Sequence, residues 1–181
     1  MAVETSLTIE DFESLPDALA HNHELVDGEL IDVSGNTVEH NGLRDFVVAM
    51  LLPHVRDHKL GRIIAEQEYA FGDDAHGPDI TLIGPEKLPL LNRKRRVQPF
   101  VPDLAVEVVS TNDKFTALVR KAKKYRRYGT REVWIFNIEE REAYLYSSDR
   151  DAILNENEIF SSPQIPGFSI RLGELFDRAN I

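Results

Sequence analysis

The sequence predicts an α/β (α+β) fold, with a mixed central β-sheet flanked by helices. Three observations carry this. Short apolar runs such as Asp79–Ile83 and Leu104–Ser110 have strand length and strand composition. Stretches with a 3.6-residue apolar period stand between them. The passage from Leu104 to Asn137 reads strand, helix, strand. The 181 residues suffice for one domain with a sizeable core, and no repeat, low-complexity tract or linker divides them, so a single domain over 1–181 is expected.

The elements follow in order. Thr8 and Asp11 form a capping signal for a short helix that Pro16 ends near Leu15. HELVDGELIDV reads as a hairpin turning at Asp27-Gly28. Leu43, Phe46, Val47, Met50 and Leu51 predict a helix over about 37–58, which Pro53 should kink or split and Gly61 should end. Strands are expected at 62–71, 79–83 and 104–110. Ser110 to Asp113 resemble a helix cap. Phe115, Leu118, Val119, Ala122 and Tyr125 then mark a helix over 114–128, closed by Gly129. Residues 132–137 and 143–146 read as a hairpin, and IPGFSIRLGELF as a strand and a short helix.

Composition excludes some chemistry. Without cysteine there are no disulfides, thiolate metal sites or cysteine nucleophiles, which fits a reducing cytoplasm. The N-terminus lacks the pattern of a signal peptide, no apolar run is long enough to span a membrane, and no GxxxxGK[ST] loop cradles phosphate. Net charge is −10, yet the window from Arg93 to Arg131 holds 12 Lys/Arg against three acids, leaving −19 on the rest. That asymmetry fits either a surface facing a polyanion or a solvated helix face plus a basic loop. Arg93, Lys94, Arg95 and Arg96 are candidates to grip phosphates, as are Lys114, Lys124 and Arg127 on the helix.

The acids are the sharper signal. Asp79 and Asp103 each follow a proline at the mouth of an apolar run, and Glu107 lies inside the second run. Charges are rare in buried strands unless paired or bound to metal. Strand alternation puts Asp103 and Glu107 on one face, and Asp79 joins them if the two strands pair. Such a group repels itself until a cation neutralises it, and an all-oxygen set favours Mg2+ or Mn2+. Taken singly, each acid reads more readily as a turn residue or an ion-pair partner; together with the nearby basic helix they point to a site. His54 and His58, four apart, match metal spacing from one helix but lack a third ligand and read as solvated.

HELVDGEL, the helix opened by His40, GPDI, PDLAVEVVS, KAKKYRRYGTREVWIFN and IPGFSIRLGELF occur in an order that resembles the bacterial Uma-two family of restriction endonucleases, in the PD-(D/E)XK nuclease superfamily. The resemblance implies a restriction-endonuclease-like core and metal-dependent hydrolysis of nucleic acid, DNA more than RNA, by a homodimer. It implies Asp79 and Glu107 as catalytic metal ligands, with Asp103 and Glu24 as further candidate ligands. The superfamily pattern expects a lysine two residues beyond the strand acid, where this chain has Val109. The family places that lysine on the next helix, at Lys121; on the helical wheel Lys114 shares its flank and is the second choice. At about 100° per residue, Lys121 flanks the buried stripe beside Tyr125, and Lys124 faces solvent. The broken motif keeps a second reading open: a catalytically inactive module that binds nucleic acid or a partner. A third is a protein-interaction domain whose acidic surface meets a basic partner.

Overall fold

The expected class holds. The computed structural model describes residues 6–33, 35–110 and 115–179, and in these the strands form sheets of six, five and two. Thr8 caps α1 (Ile9–Glu13): its hydroxyl accepts from Asp11 N–H at 3.1 Å, and Asp11 Oδ2 accepts from Thr8 N–H at 3.0 Å. One further helical turn, α2 (Asp17–Ala20), follows Pro16. The hairpin β1 (His23–Val26) and β2 (Glu29–Asp32) turns at Asp27 and Gly28, with φ of 51° and 81°, the paired positive angles its tight turn requires.

Helix α3 (Val38–Asp57) is capped by the Thr37 hydroxyl and passes Pro53 without splitting. Pro53 and Ala49, whose carbonyl loses its N–H partner there, both lie on the exposed side, where water can replace the lost bond. The expected long strand over 62–71 is two strands in different sheets. β3 (Arg62–Ala65) and β4 (Glu68–Phe71) are separated where Glu66 takes a φ of 54°. β5 (Asp74–His76) returns antiparallel to β4, and β6 (Ile80–Ile83) re-enters the larger sheet.

After a 3₁₀ turn at Leu88–Leu90 and a short β7 (Val97–Gln98), the chain forms β8 (Leu104–Val108), α4 (Phe115–Arg127) and β9 (Glu132–Asn137). β8 and β9 pair in parallel, so α4 is their crossover. β10 (Glu142–Ser147), β11 (Asp151–Asn155), β12 (Ile159–Ser161), β13 (Ser169–Arg171) and α5 (Leu172–Ala179) complete the chain. The large sheet runs β11-β10-β9-β8-β6-β3 and the second β2-β1-β5-β4-β7. Residues 111–113, expected to cap α4, and Lys114 lie outside the described residues.

Alternation along the central strands sorts the core. Leu104, Val106, Val108, Trp134 and Phe136 pack with α3 and α5, while Ala105, Val133 and Ile135 meet α4 through Leu118, Ala122 and Tyr125. Tyr69 and Phe71 of β4 join this second cluster. Helix α4 is therefore covered by one sheet on each flank, and acids from both reach it.

Pro53→Ala restores an N–H on an exposed helical face. It should raise stability by about 1–3 kcal/mol in denaturant melts, and an unchanged midpoint would show that the helix bears no cost there.

Candidate active site

Antiparallel pairing of β6 with β8 sets Ile80 opposite Val106, which brings Asp79 opposite Glu107. Asp79 is fixed through Oδ2, which accepts from Val108 N–H at 2.7 Å and lies 3.2 Å from His40 Nε2 on α3. Burial works against charge on His40, but the Asp79 carboxylate beside it prevails and raises its pKa. Glu107 is 4 % exposed, and its Oε1 accepts from the Tyr125 hydroxyl at 2.7 Å.

Lys121 on α4 reaches this pair. Its Nζ lies 3.5 Å from Glu107 Oε1 and 2.9 Å from Glu24 Oε1. Glu24 comes from β1 in the other sheet, and both of its oxygens are engaged. Oε1 also accepts from Gly77 N–H at 3.1 Å, and Oε2 lies 2.9 Å from His76 Nδ1. Burial opposes ionisation of Glu24, but Lys121 and the His76 hydrogen bond outweigh it and bring its pKa down to about 2. Glu107 goes the other way, to about 7: burial leads, Lys121 opposes it, and the neighbouring charges of Asp79 and Glu24 add to the rise. Burial works against the Lys121 ammonium, but Glu107 and Glu24 hold its pKa well above the ordinary lysine value. These groups line an open cleft of about 510 Å³.

The structure brings together Glu24, Asp79, Glu107 and Lys121, and it separates Asp103 from them. Asp103 and Glu107 share a strand face, but four residues at about 3.3 Å each place them about 13 Å apart. Asp103 is held at the strand mouth by Lys87 at 2.9 Å, Arg131 at 3.4 Å and Gly84 N–H at 2.7 Å. Lys124 does not face solvent: its ammonium pairs with buried Asp74 of β5, because the five-stranded sheet covers that flank of the helix. Arg95 is tied to Glu13 and Arg96 to Glu68, stapling the N-terminal helices rather than forming a loose basic loop. Arg93, Lys94 and Arg127 are exposed. His54 stacks on His58 at 4.2 Å and donates through Nε2 to the Pro166 carbonyl at 2.9 Å. Sequence reading passed over His76 and Asp74. Their signal was faint: alternation across Asp74–His76, just before Gly77-Pro78-Asp79.

A model of the Uma2 family, described as "putative restriction endonuclease", matches residues 9–173. The chain belongs to the Uma2 family. No curated protein matches it significantly. Among solved structures it is similar to a crystal structure described as a "putative nuclease belonging to DUF820" from Anabaena variabilis, with a TM-score of 0.85 and 18% identity, covering 96% of this chain and 99% of that one. At that identity the likeness shows a shared fold. In this Uma2 chain, family and fold are thus those of restriction-endonuclease-like nucleases. Among the described residues no helix is long and apolar enough to cross a membrane.

Among the described residues no three Asp, Glu or His side chains converge closely enough to hold a metal alone. Two do present suitable donors. Asp79 and Glu107 each spend one oxygen inside the protein and have a second with no hydrogen bond among the described residues. A hard divalent ion fits such a pair, because Mg2+ is commonly held by one or two carboxylates and completes its shell with water and phosphate.

Removing one partner of a buried ion pair leaves the other uncompensated. Lys121→Met should destabilise the protein by about 3 kcal/mol, whereas Glu107→Gln relieves like-charge crowding and should leave stability unchanged or higher. Denaturant melts at neutral pH compare the two; equal losses would mean that the carboxylates do not repel.

Proposed function

We propose that this Uma2 chain hydrolyses phosphodiester bonds of nucleic acid, DNA first, with Mg2+ or Mn2+ held by Asp79 and Glu107 and with Lys121 beside them. The observation that supports this best is the meeting of an acid pair on adjacent strands with one lysine ammonium in an open cleft. Charge supports it too. Four carboxylates, Glu24, Asp74, Asp79 and Glu107, face two lysines, Lys121 and Lys124, and the charges of Asp79 and Glu24 help to push the Glu107 pKa up to about 7. A divalent ion would relieve that crowding.

When bound, the ion would supply a water of lowered pKa and offset charge on the scissile phosphate. The chain's own residues do the rest. Asp79, clamped by Val108 N–H and His40, keeps its second oxygen aimed into the cleft. Lys121 stays protonated, so it is no general base; it orients the attacking water and offsets charge developing on the phosphoryl oxygens. Glu24, with both oxygens engaged, positions Lys121 rather than ligating metal. Asp103 has no part in the chemistry. Exposed Arg93, Lys94 and Arg127 supply phosphate contacts without sequence information. A cytoplasmic homodimer acting on both strands completes the reading.

Purified protein should cut DNA with Mg2+ or Mn2+ and stop on chelation. Asp79→Ala, Glu107→Ala and Lys121→Ala should each lower kcat by at least about a hundred-fold, while Asp103→Ala retains the chemistry wherever it folds. Undiminished cleavage in Asp79→Ala and Glu107→Ala would sink the site. Calorimetry showing DNA binding without Mn2+ binding would favour a catalytically silent binding module, the reading that Val109 in the usual lysine position supports. A second expectation concerns salt. Arg93→Gln and Arg127→Gln should weaken binding evenly across sequences, each reducing the slope of log affinity against log salt by about 1; an unchanged slope places the phosphates elsewhere.

A further inference from the structure

His76 is 2 % exposed and touches none of the groups assigned to the chemistry except through Glu24. β1 pairs with β5 so that Leu25 stands opposite Ala75, which sets Glu24 opposite His76. The period of two along β5 puts Asp74 and His76 on one face, the face that α4 covers. Glu24 is a carboxylate and accepts only, so His76 Nδ1 carries the proton in their 2.9 Å contact. Nε2 on the far side of the ring has no hydrogen-bond partner, and Asp74 Oδ2 lies 3.7 Å away. Asp74 is itself held by Asp27 N–H at 2.9 Å and by Lys124. Phe71 and Tyr125 fix the ring plane, with centroids at 5.8 and 5.6 Å.

The result is a buried line, Lys121–Glu24–His76–Asp74–Lys124, that leaves α4 and returns to it three residues later. A lysine head on a four-carbon stem has many rotamers. It keeps one position only if its counter-ion is itself immobile. Gly77 N–H and Lys121 share one oxygen of Glu24, and His76 alone holds the other.

We propose that His76 is a positioning residue: it locks the Glu24 carboxylate and thereby holds the Lys121 ammonium over Glu107, a role that rests on the nuclease reading of that site. Loss of the Nδ1 donor should leave substrate affinity in place and misplace the lysine in the transition state.

Three variants of the full chain test this: His76→Asn, which retains a donor at the Nδ1 position, His76→Gln, which moves it to the Nε2 position, and His76→Leu, which has none. The readouts are the 15N-resolved Nζ resonance of Lys121, assigned by its loss in Lys121→Arg, and the split between kcat and KM. His76→Asn should retain the resonance and stay within about threefold of native kcat, while His76→Gln and His76→Leu lose the resonance and fall about ten- to a hundred-fold in kcat with KM little changed. If His76→Leu does not fold, the contrast between Asn and Gln decides. Native resonance and kcat in His76→Gln would overturn the proposal, as would equal losses in the Asn and Gln variants. Should the native protein cleave nothing, the nuclease reading fails, while the Lys121 resonance across the Asn and Gln variants still decides whether His76 positions the ammonium.

Discussion

A buried ammonium cannot stand without carboxylates, and in this fold Lys121 draws one from each sheet. Taking an ion out of water costs several kcal/mol unless close partners and good geometry offset it. Glu107 comes from the centre of the six-stranded sheet and Glu24 from the five-stranded one. The apolar side of the same helix, with Leu118, Ala122 and Tyr125, is sealed against the core between them. Helix α4 is consequently pinned in rotation and in register. A slip of one residue would bury unpaired acids from both sheets at once. The group proposed to act on a phosphate is also the one that fixes how the two sheets share a helix.

The same requirement reshapes the electrostatics. The local surplus of nine positive charges between Arg93 and Arg131 looks like a surface for polyanions. Much of it is internal. Lys121 and Lys124 neutralise buried acids. Arg96 bridges Glu68, the Ala20 carbonyl and the Phe12 ring at 4.3 Å, so it holds the N-terminal helices to the second sheet. Among the described residues, what faces water is a smaller set: Arg93 and Lys94 at a loop tip, Arg120, Lys123 and Arg127 along the outer side of α4, and Arg131 beyond its end. A polyanion would thus be met by the rim of the molecule rather than by the floor of its cleft, which is acidic.

Local features were legible in the sequence because they depend on neighbours a few residues away. The Thr8 cap, the Asp27-Gly28 turn, the stripe of α4 and the β9 strand stand where propensity and period place them. Alternation also put Glu107 on one face with Ala105, and that face meets α4. Two of the failures share one cause. The second sheet has few strands with a clear apolar pattern, and without it the run over 62–71 reads as one strand and Lys124 reads as solvated. Asp103 shows a different limit. Alternation tells which face a side chain takes, but not that about 13 Å of strand lies between two residues on it. His76 and Asp74 sit on a three-residue strand, too short for any period to stand out.

Val109 is the departure that made catalysis doubtful in the sequence, and its surroundings explain how the site can dispense with a lysine there. Two residues beyond Glu107, it shares that residue's face and packs in the cluster formed with α4. A lysine at 109 and a lysine at 121 therefore approach Glu107 from the same side of the sheet. A second ammonium in that space would sit against the first, both needing the same carboxylate and each raising the cost of burying the other. An apolar residue at 109 fills the volume beneath the helix, and the charge arrives from above it, tied to Glu24. Exchange of the two positions preserves the side from which the ammonium meets the acid. It adds a dependence the strand lysine would not have, because the head group is now only as well placed as the β1–β5 pairing that carries Glu24 and His76.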